Sequence, residues 1–129
     1  MTSGKINKKI LGNAGEDFAA VCLQSKNYKI LARNFRFGRN AEIDIIDEID
    51  GIIVFVEVKT RNNKRYGTPA EGVTFRKQQN IIKAATRFLQ INNLFERACR
   101  FDIFEVFANH NQDTGRWEYN HIENAFEIV

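Results

Sequence analysis

Little in this chain of 129 residues serves the usual means of stapling or anchoring a small protein, since it holds two cysteines, one proline, one methionine, one tryptophan and two histidines. Cys22 and Cys99 each sit among apolar or helix-forming residues without the short spacing of metal ligands, so reduced core thiols are expected. His110 and His121 have no clustered ligands beside them, which excludes an ordinary zinc site. There is no apolar run of roughly eighteen residues, the length a membrane-spanning helix needs. The basic opening MTSGKINKKI also lacks the apolar stretch of a signal peptide. A cytoplasmic location and no membrane partner are the expectation.

What the chain does have is 43% apolar residues, enough for one hydrophobic core and too short a length for two. A single domain over residues 1–129 is expected, with residues 1–10 a flexible basic arm. The net charge of +3 hides a separation of signs. Between Lys59 and Arg100 ten bases face only Glu71 and Glu96, whereas residues 42–57 carry six acids and no base. Residues 101–129 add six acids against Arg116. A basic surface beside an acidic pocket suits a polyanionic partner, although ordinary solubility tolerates it too.

Hydrophobic periodicity predicts a helix over about 12–26. Leu11, Gly15, Phe18 and Cys22 lie on one face, and Glu16, Ala19, Ala20 and Leu23 form a neighbouring stripe. Strands are predicted over 28–37, 41–48 and 52–60, the last two joined at Asp50-Gly51, a strong hairpin signal. The stretch IIVFVEVKT lacks polar alternation until Glu57 and reads as a central strand covered on both faces. Residues 61–74 form a polar connection. A helix over 75–91 turns Phe75, Ile81, Ile82, Ala84, Ala85, Phe88 and Leu89 inward and presents Arg76, Asn80, Lys83 and Arg87 elsewhere. A strand over 99–108 and a final strand or irregular edge segment complete the order, an α/β layering.

The chemistry concentrates in EIDIIDEIDGIIVFVEVKT, residues 42–60. A hairpin centred between Asp50 and Gly51 places Asp44 opposite Glu57 and Glu42 opposite Lys59. Cross-strand partners lie about 4.5–5.5 Å apart at Cβ. Glu57 and Lys59, two apart in a strand, project to one face. Two carboxylates so placed repel unless a proton or cation intervenes. A hard divalent ion held by Asp44, Glu57 and a main-chain carbonyl such as that of Val58 meets this need. The same residues also fit an exposed hairpin end tied by salt bridges. With Mg²⁺ or Mn²⁺ present, the expected use is phosphodiester hydrolysis, Lys59 orienting water or stabilising developing charge. Glu16 would serve a second ion or a metal-bound water if its helix reaches the site. Lys77 is favoured over Gln78 as the group extending from the second helix. Asp102 either pairs with Arg100 or Arg61 or buttresses the site. Arg61, Lys64 and Arg65, with Tyr66 near them, adjoin the acids. Arg76, Lys83 and Arg87 make a phosphate track or an ordinary solvated face.

GNAGEDFAAVCL, NFRFGRNAEIDII, VFVEVKTR, GTPAEGV, RKQQNI and RFDIF together resemble the small bacterial YraN-like, or UPF0102, family, over about Leu11 to Phe107. That family is similar to the restriction-endonuclease-like PD-(D/E)XK superfamily and, in organisation, to archaeal Holliday-junction resolvases. The resemblance implies a restriction-endonuclease-like core, a mixed central sheet flanked by helices. It maps the motif D-x12-E-V-K onto Asp44, Glu57 and Lys59, and the helical glutamate onto Glu16. Ala41 stands where a glycine is often found and Ile43 where proline precedes the aspartate. The expected activity is metal-dependent cleavage of DNA, branched or structured DNA included; separately, a homodimer would suit the cutting of two opposed strands, and exposed strand edges could support one. The alternative is a nucleic-acid-binding accessory protein without catalysis.

Overall fold

The computed structural model describes residues 8–61, 73–108 and 117–127, with the side chains of the first helix described from residue 12 onward. Its elements are α1 (Lys8–Ser25), β1 (Lys29–Phe37), β2 (Ala41–Ile49), β3 (Ile52–Arg61), α2 (Phe75–Ile91), β4 (Cys99–Phe107) and β5 (Glu118–Phe126). α1 starts at Lys8, so residues 8–10 belong to a helix and not to the loose arm expected of them. Residues 1–7 and the loop bases Lys64 and Arg65, with Tyr66, lie outside the described residues.

All five strands join one sheet in chain order, antiparallel except where β3 meets β4 in parallel. A parallel pair needs a crossover, and α2 lies within it. The result is a mixed sheet flanked by two helices, the α/β restriction-endonuclease-like arrangement expected from the sequence. The final segment is a regular strand.

Each helix buries an apolar stripe on its own side of the sheet. Ile81, Ala84, Ala85, Phe88 and Leu89 of α2 pack with Ile43, Ile46, Ile53, Phe55, Phe101 and Ile103. Ala19, Ala20 and Leu23 of α1 pack with Ile45, Val54, Val56, Phe104 and Val106. Successive residues of β3 thus enter opposite clusters, which is why its sequence is continuously apolar. Each such side chain contributes about 1.5–3 kcal/mol on leaving water. α1 lies close over β3 because residue 15 is glycine. A Cβ there would fall 2.0 Å from Thr60 Oγ1.

Three expectations change. Phe75, read as inward-facing, is exposed, because the first residue of α2 to be buried in the helix–sheet contact is Ile81. Cys99, read as a core thiol, is exposed at the first residue of β4, while Cys22 is half-buried; both are free. Glu42, expected opposite Lys59, lies beyond the last β2–β3 ladder pair, and its carboxylate is met from the other side by Arg36 of β1, Arg36 Nη2 lying 3.4 Å from Glu42 Oε2.

Candidate active site

Asp50 and Gly51 turn the β2–β3 hairpin, with φ of 50° and 81°. Positive φ at both central residues matches the right-handed twist of the strands on either side. The register runs from Ile49 opposite Ile52 to Ile45 opposite Val56, as the turn dictates. There the recorded ladder stops and a side chain takes over. The Val58 amide donates to Asp44 Oδ2 at 2.8 Å. In a strand the amide and carbonyl of one residue lie on the same side of the backbone, so the Val58 carbonyl opens onto the gap Asp44 occupies.

Glu57 is buried next to this gap, with Lys77 Nζ 3.2 Å and Lys59 Nζ 3.8 Å from its Oε1. Lys77 arrives from α2, whose first turn is fixed by Thr74: the Lys77 amide donates to Thr74 Oγ1 at 3.1 Å. Burial first, and then the charge of Asp44, push the Glu57 carboxyl up to about 7, against the pull of Lys77 and Lys59. Asp44 is raised as well, mainly by burial and against the bond from Val58 N–H. Glu42 adds to the rise, while Lys77 and Glu57 pull the Asp44 carboxyl down. Burial lowers the Lys77 ammonium, but Glu57 and Asp44 outweigh it and leave its pKa above the ordinary value.

Glu16 reaches the same field from the opposite layer. Its carboxyl is raised by burial and by the charge of Asp44. Arg33 of β1 restrains it: Arg33 Nη2 lies 3.2 Å from Glu16 Oε1 and 2.7 Å from Asp17 Oδ1. Asp44 therefore sits between two helices, interacting with Glu16 on one side and Lys77 on the other.

The structure thus brings Asp44, Glu57, Lys59, Lys77 and Val58 together, with Glu16 within electrostatic range. Arg61 ends β3 and bonds Glu105. Arg76, Lys83 and Arg87 are exposed on α2, away from its buried stripe. Asp102 serves none of this. It is sealed on the α1 side, where Arg100 Nε at 3.0 Å, His121 Nε2 at 2.7 Å and the Asn124 amide at 2.9 Å surround it. Arg33 and Glu105 escaped the sequence reading. The available signal for Glu105 was a lone acid inside the apolar run IFEVF; Arg33 had none, since its partners lie on α1.

Among the described residues no three His, Cys, Asp or Glu side chains form a preformed metal cage. The donor chemistry nonetheless fits a hard cation: the half-buried Asp44 carboxylate and the buried Glu57 carboxyl, which Asp44 raises, on the side of β3 to which the Val58 backbone turns. Mg²⁺ in particular keeps most of its waters and takes only one or two protein carboxylates.

Comparison with known proteins places these residues in a family context. The profile described as uncharacterised protein family UPF0102 matches residues 15–106, a span holding every residue of the arrangement above. The UPF0102 protein of Caldanaerobacter subterraneus subsp. tengcongensis is 46% identical over 122 residues, 95% of this chain and 98% of that one. That of Symbiobacterium thermophilum is 45% identical over 116 residues, 90% and 95% of the two chains. A UPF0102 protein of Clostridium perfringens is 42% identical over 124 residues, 96% and 98%.

Proposed function

The chain belongs to the UPF0102 family, and from that premise and the geometry at the end of the β2–β3 hairpin we propose that it is a divalent-metal-dependent DNA endonuclease related to the PD-(D/E)XK enzymes. The observation that carries this reading is the buried Glu57 beside Asp44, with two ammonium groups within 4 Å of Glu57 Oε1 and a carboxyl pushed up to about 7.

Asp44, Glu57 and the Val58 carbonyl would hold Mg²⁺ or Mn²⁺, with Glu16 placed to orient water around it. Such an ion supplies Lewis-acid polarisation of a phosphoryl oxygen and a more acidic bound water. The chain's own groups do the rest. Glu57, pushed up to about 7, would give up its proton for a cation to be held, since carboxylates ligate in ionised form. The Lys59 and Lys77 ammonium groups, then released in part from Glu57, stabilise negative charge as it grows on the phosphate. Arg61, Arg76, Lys83 and Arg87, with Lys64 and Arg65 of the loop, bind strand phosphates, each neutralised phosphate adding a salt-sensitive increment of affinity. Scission of both strands of a branched or duplex DNA calls for two copies, so a homodimer in the cytoplasm belongs to the proposal.

The test is incubation of purified protein with branched, duplex and single-stranded DNA plus Mg²⁺ or Mn²⁺, beside Asp44→Ala and Lys59→Ala. Metal-dependent cutting by the wild type, lost in both variants, is expected. Absence of cutting on every substrate overturns the enzymatic reading. If DNA binding then survives Asp44→Ala and weakens on changing Arg76 or Lys83, the protein is a binding accessory.

A further inference from the structure

Glu105 takes no part in the acid pair, yet its carboxylate is among the most buried charged groups of the fold, 3% exposed. In the parallel register of β3 and β4 it lies directly beside Lys59. Its Oε2 accepts from Nε of Arg61 at 3.3 Å. Along this corner of the sheet Glu57, Lys59, Glu105 and Arg61 alternate in sign, all contributed by the last residues of two adjacent strands.

The core alone does not call for a carboxylate here. Ile103, two positions earlier on the same face, is the apolar solution, and it packs into the α2-side cluster. A buried ion pair adds little stability over apolar residues of similar size. What Glu105 does supply is direction. The main chain of Arg61 is already fixed, since the Ala108 amide donates to its carbonyl at 2.8 Å. The bond from Nε to Glu105 adds a constraint on the guanidinium itself. Arg61 keeps 17% of its side chain exposed, two residues beyond Lys59 at the end of β3. A guanidinium with a fixed plane matches two phosphate oxygens better than a freely rotating one.

We propose that Glu105 is a positioning residue: from its buried place between Lys59 and Arg61 it presets the Arg61 guanidinium as a clamp on a phosphate neighbouring the one held at Glu57 and Lys59. This inference rests on the DNA-processing reading above.

Binding of a branched oligonucleotide is measured with Ca²⁺ in place of Mg²⁺, so that affinity is read without cutting, for wild type, Glu105→Gln, Glu105→Asp, Arg61→Ala and Glu105→Gln with Arg61→Ala. Glu105→Gln is expected to weaken binding about 5- to 10-fold and to lower the slope of log K against log salt by about one, the loss of one phosphate contact. Glu105→Asp, which keeps the charge, recovers part of this. The double variant binds no worse than Arg61→Ala alone, because Glu105 acts through Arg61. With Mg²⁺, Glu105→Gln raises KM and spares kcat. Wild-type affinity and salt slope in Glu105→Gln, whatever its melting temperature, or additive losses in the double variant, overturn the proposal and leave the nuclease reading standing. Failure of wild type to bind DNA at all overturns both.

Discussion

Two pairs of acids lie within a few residues of one another, Asp44 with Glu57 and Asp47 with Asp102, and they are built to opposite ends. In each, burial is the largest force on the carboxyls, and one member, Glu57 or Asp47, is pushed up to about 7. The first pair stands at the end of a ladder, beside the ammonium groups of Lys59 and Lys77, with the Val58 carbonyl facing it. The second is enclosed on the α1 side. There Asp102 is fully satisfied: burial raises its carboxyl, but the bonds to His121, Arg100 and the Asn124 amide outweigh it and hold the pKa below the ordinary value. Asp47, fully buried, has both oxygens without a hydrogen-bond partner. The lesson is that a raised carboxyl by itself says nothing about catalysis. What differs is the surroundings: Glu57 has the partly exposed Lys59 and Lys77 ammonium groups beside it, whereas Asp102 is held by Arg100, His121 and a backbone amide.

The comparison breaks most sharply in activity. Glu57→Gln is expected to lower metal-dependent cleavage on the order of 10³-fold and to melt at or above the wild-type temperature, because it removes a carboxyl that burial and the charge of Asp44 push up to about 7. A cleavage assay beside a thermal melt checks both. A fall of several degrees in melting temperature with activity retained would reassign Glu57 to the structural class.

Asp102→Ala is expected to behave in the reverse way. It strands Arg100, His121 and a backbone amide, so a loss of about 3–5 kcal/mol is expected, as for other broken buried pairs. Whatever fraction stays folded at low temperature should cut DNA at the wild-type rate per folded molecule, read by normalising activity to the native fraction in a urea titration.

Asp47 sharpens the comparison through pH. Its folded pKa of about 7 exceeds the ordinary 3.8, so between these values the folded state holds a proton that the unfolded state has released. Stability therefore falls as pH rises from about 4 to about 7 and stays low above that. Asp47→Asn keeps the neutral form at every pH. It is expected to melt several degrees higher than wild type at pH 8 and about the same at pH 4, in melts run across that range. A difference constant with pH would show that Asp47 is not the group titrating.

The two regions also differ in how far the sequence disclosed them. The Asp44–Glu57 meeting follows from local rules: the Asp50-Gly51 turn fixes the register, and the two-residue pleat fixes the face. The ladder confirms that register up to Ile45 opposite Val56. Beyond it, the capping of Val58 by Asp44 was not foreseeable, because pairing rules do not say where a ladder ends. The Asp47–Asp102 cluster was opaque for a different reason. It needs β4 to lie parallel beside β3, across α2 and the connection that precedes it, and β5 to return with His121 and Asn124. Arg33 and Glu105 share that dependence on distant pairing. In α2 the apolar spacing located the buried stripe from Ile81 to Leu89 but misjudged Phe75, since period alone does not reveal where the sheet beneath a helix begins.

Gly15 joins the two regions, and its substitution is expected to have the smallest effect. It lies in α1, the helix that covers the sealed pair, immediately before Glu16, which feels the open one. A methyl group at residue 15 would meet the Thr60 side chain at 2.0 Å from Oγ1 and 3.1 Å from Cβ and Cγ2. Either Thr60 turns away or α1 lifts from β3. Alanine also favours the helix by up to about 1 kcal/mol over glycine, while overpacking costs about 1–3 kcal/mol. The net expectation for Gly15→Ala is thus a modest destabilisation of about 1–2 kcal/mol, read from urea unfolding. Pairing it with Thr60→Ala, which removes the clash and leaves the helix gain, should return stability to within a few tenths of a kcal/mol of Thr60→Ala alone or above it. If Gly15→Ala is as destabilising in that background, close approach of α1 to β3 is not what the glycine provides.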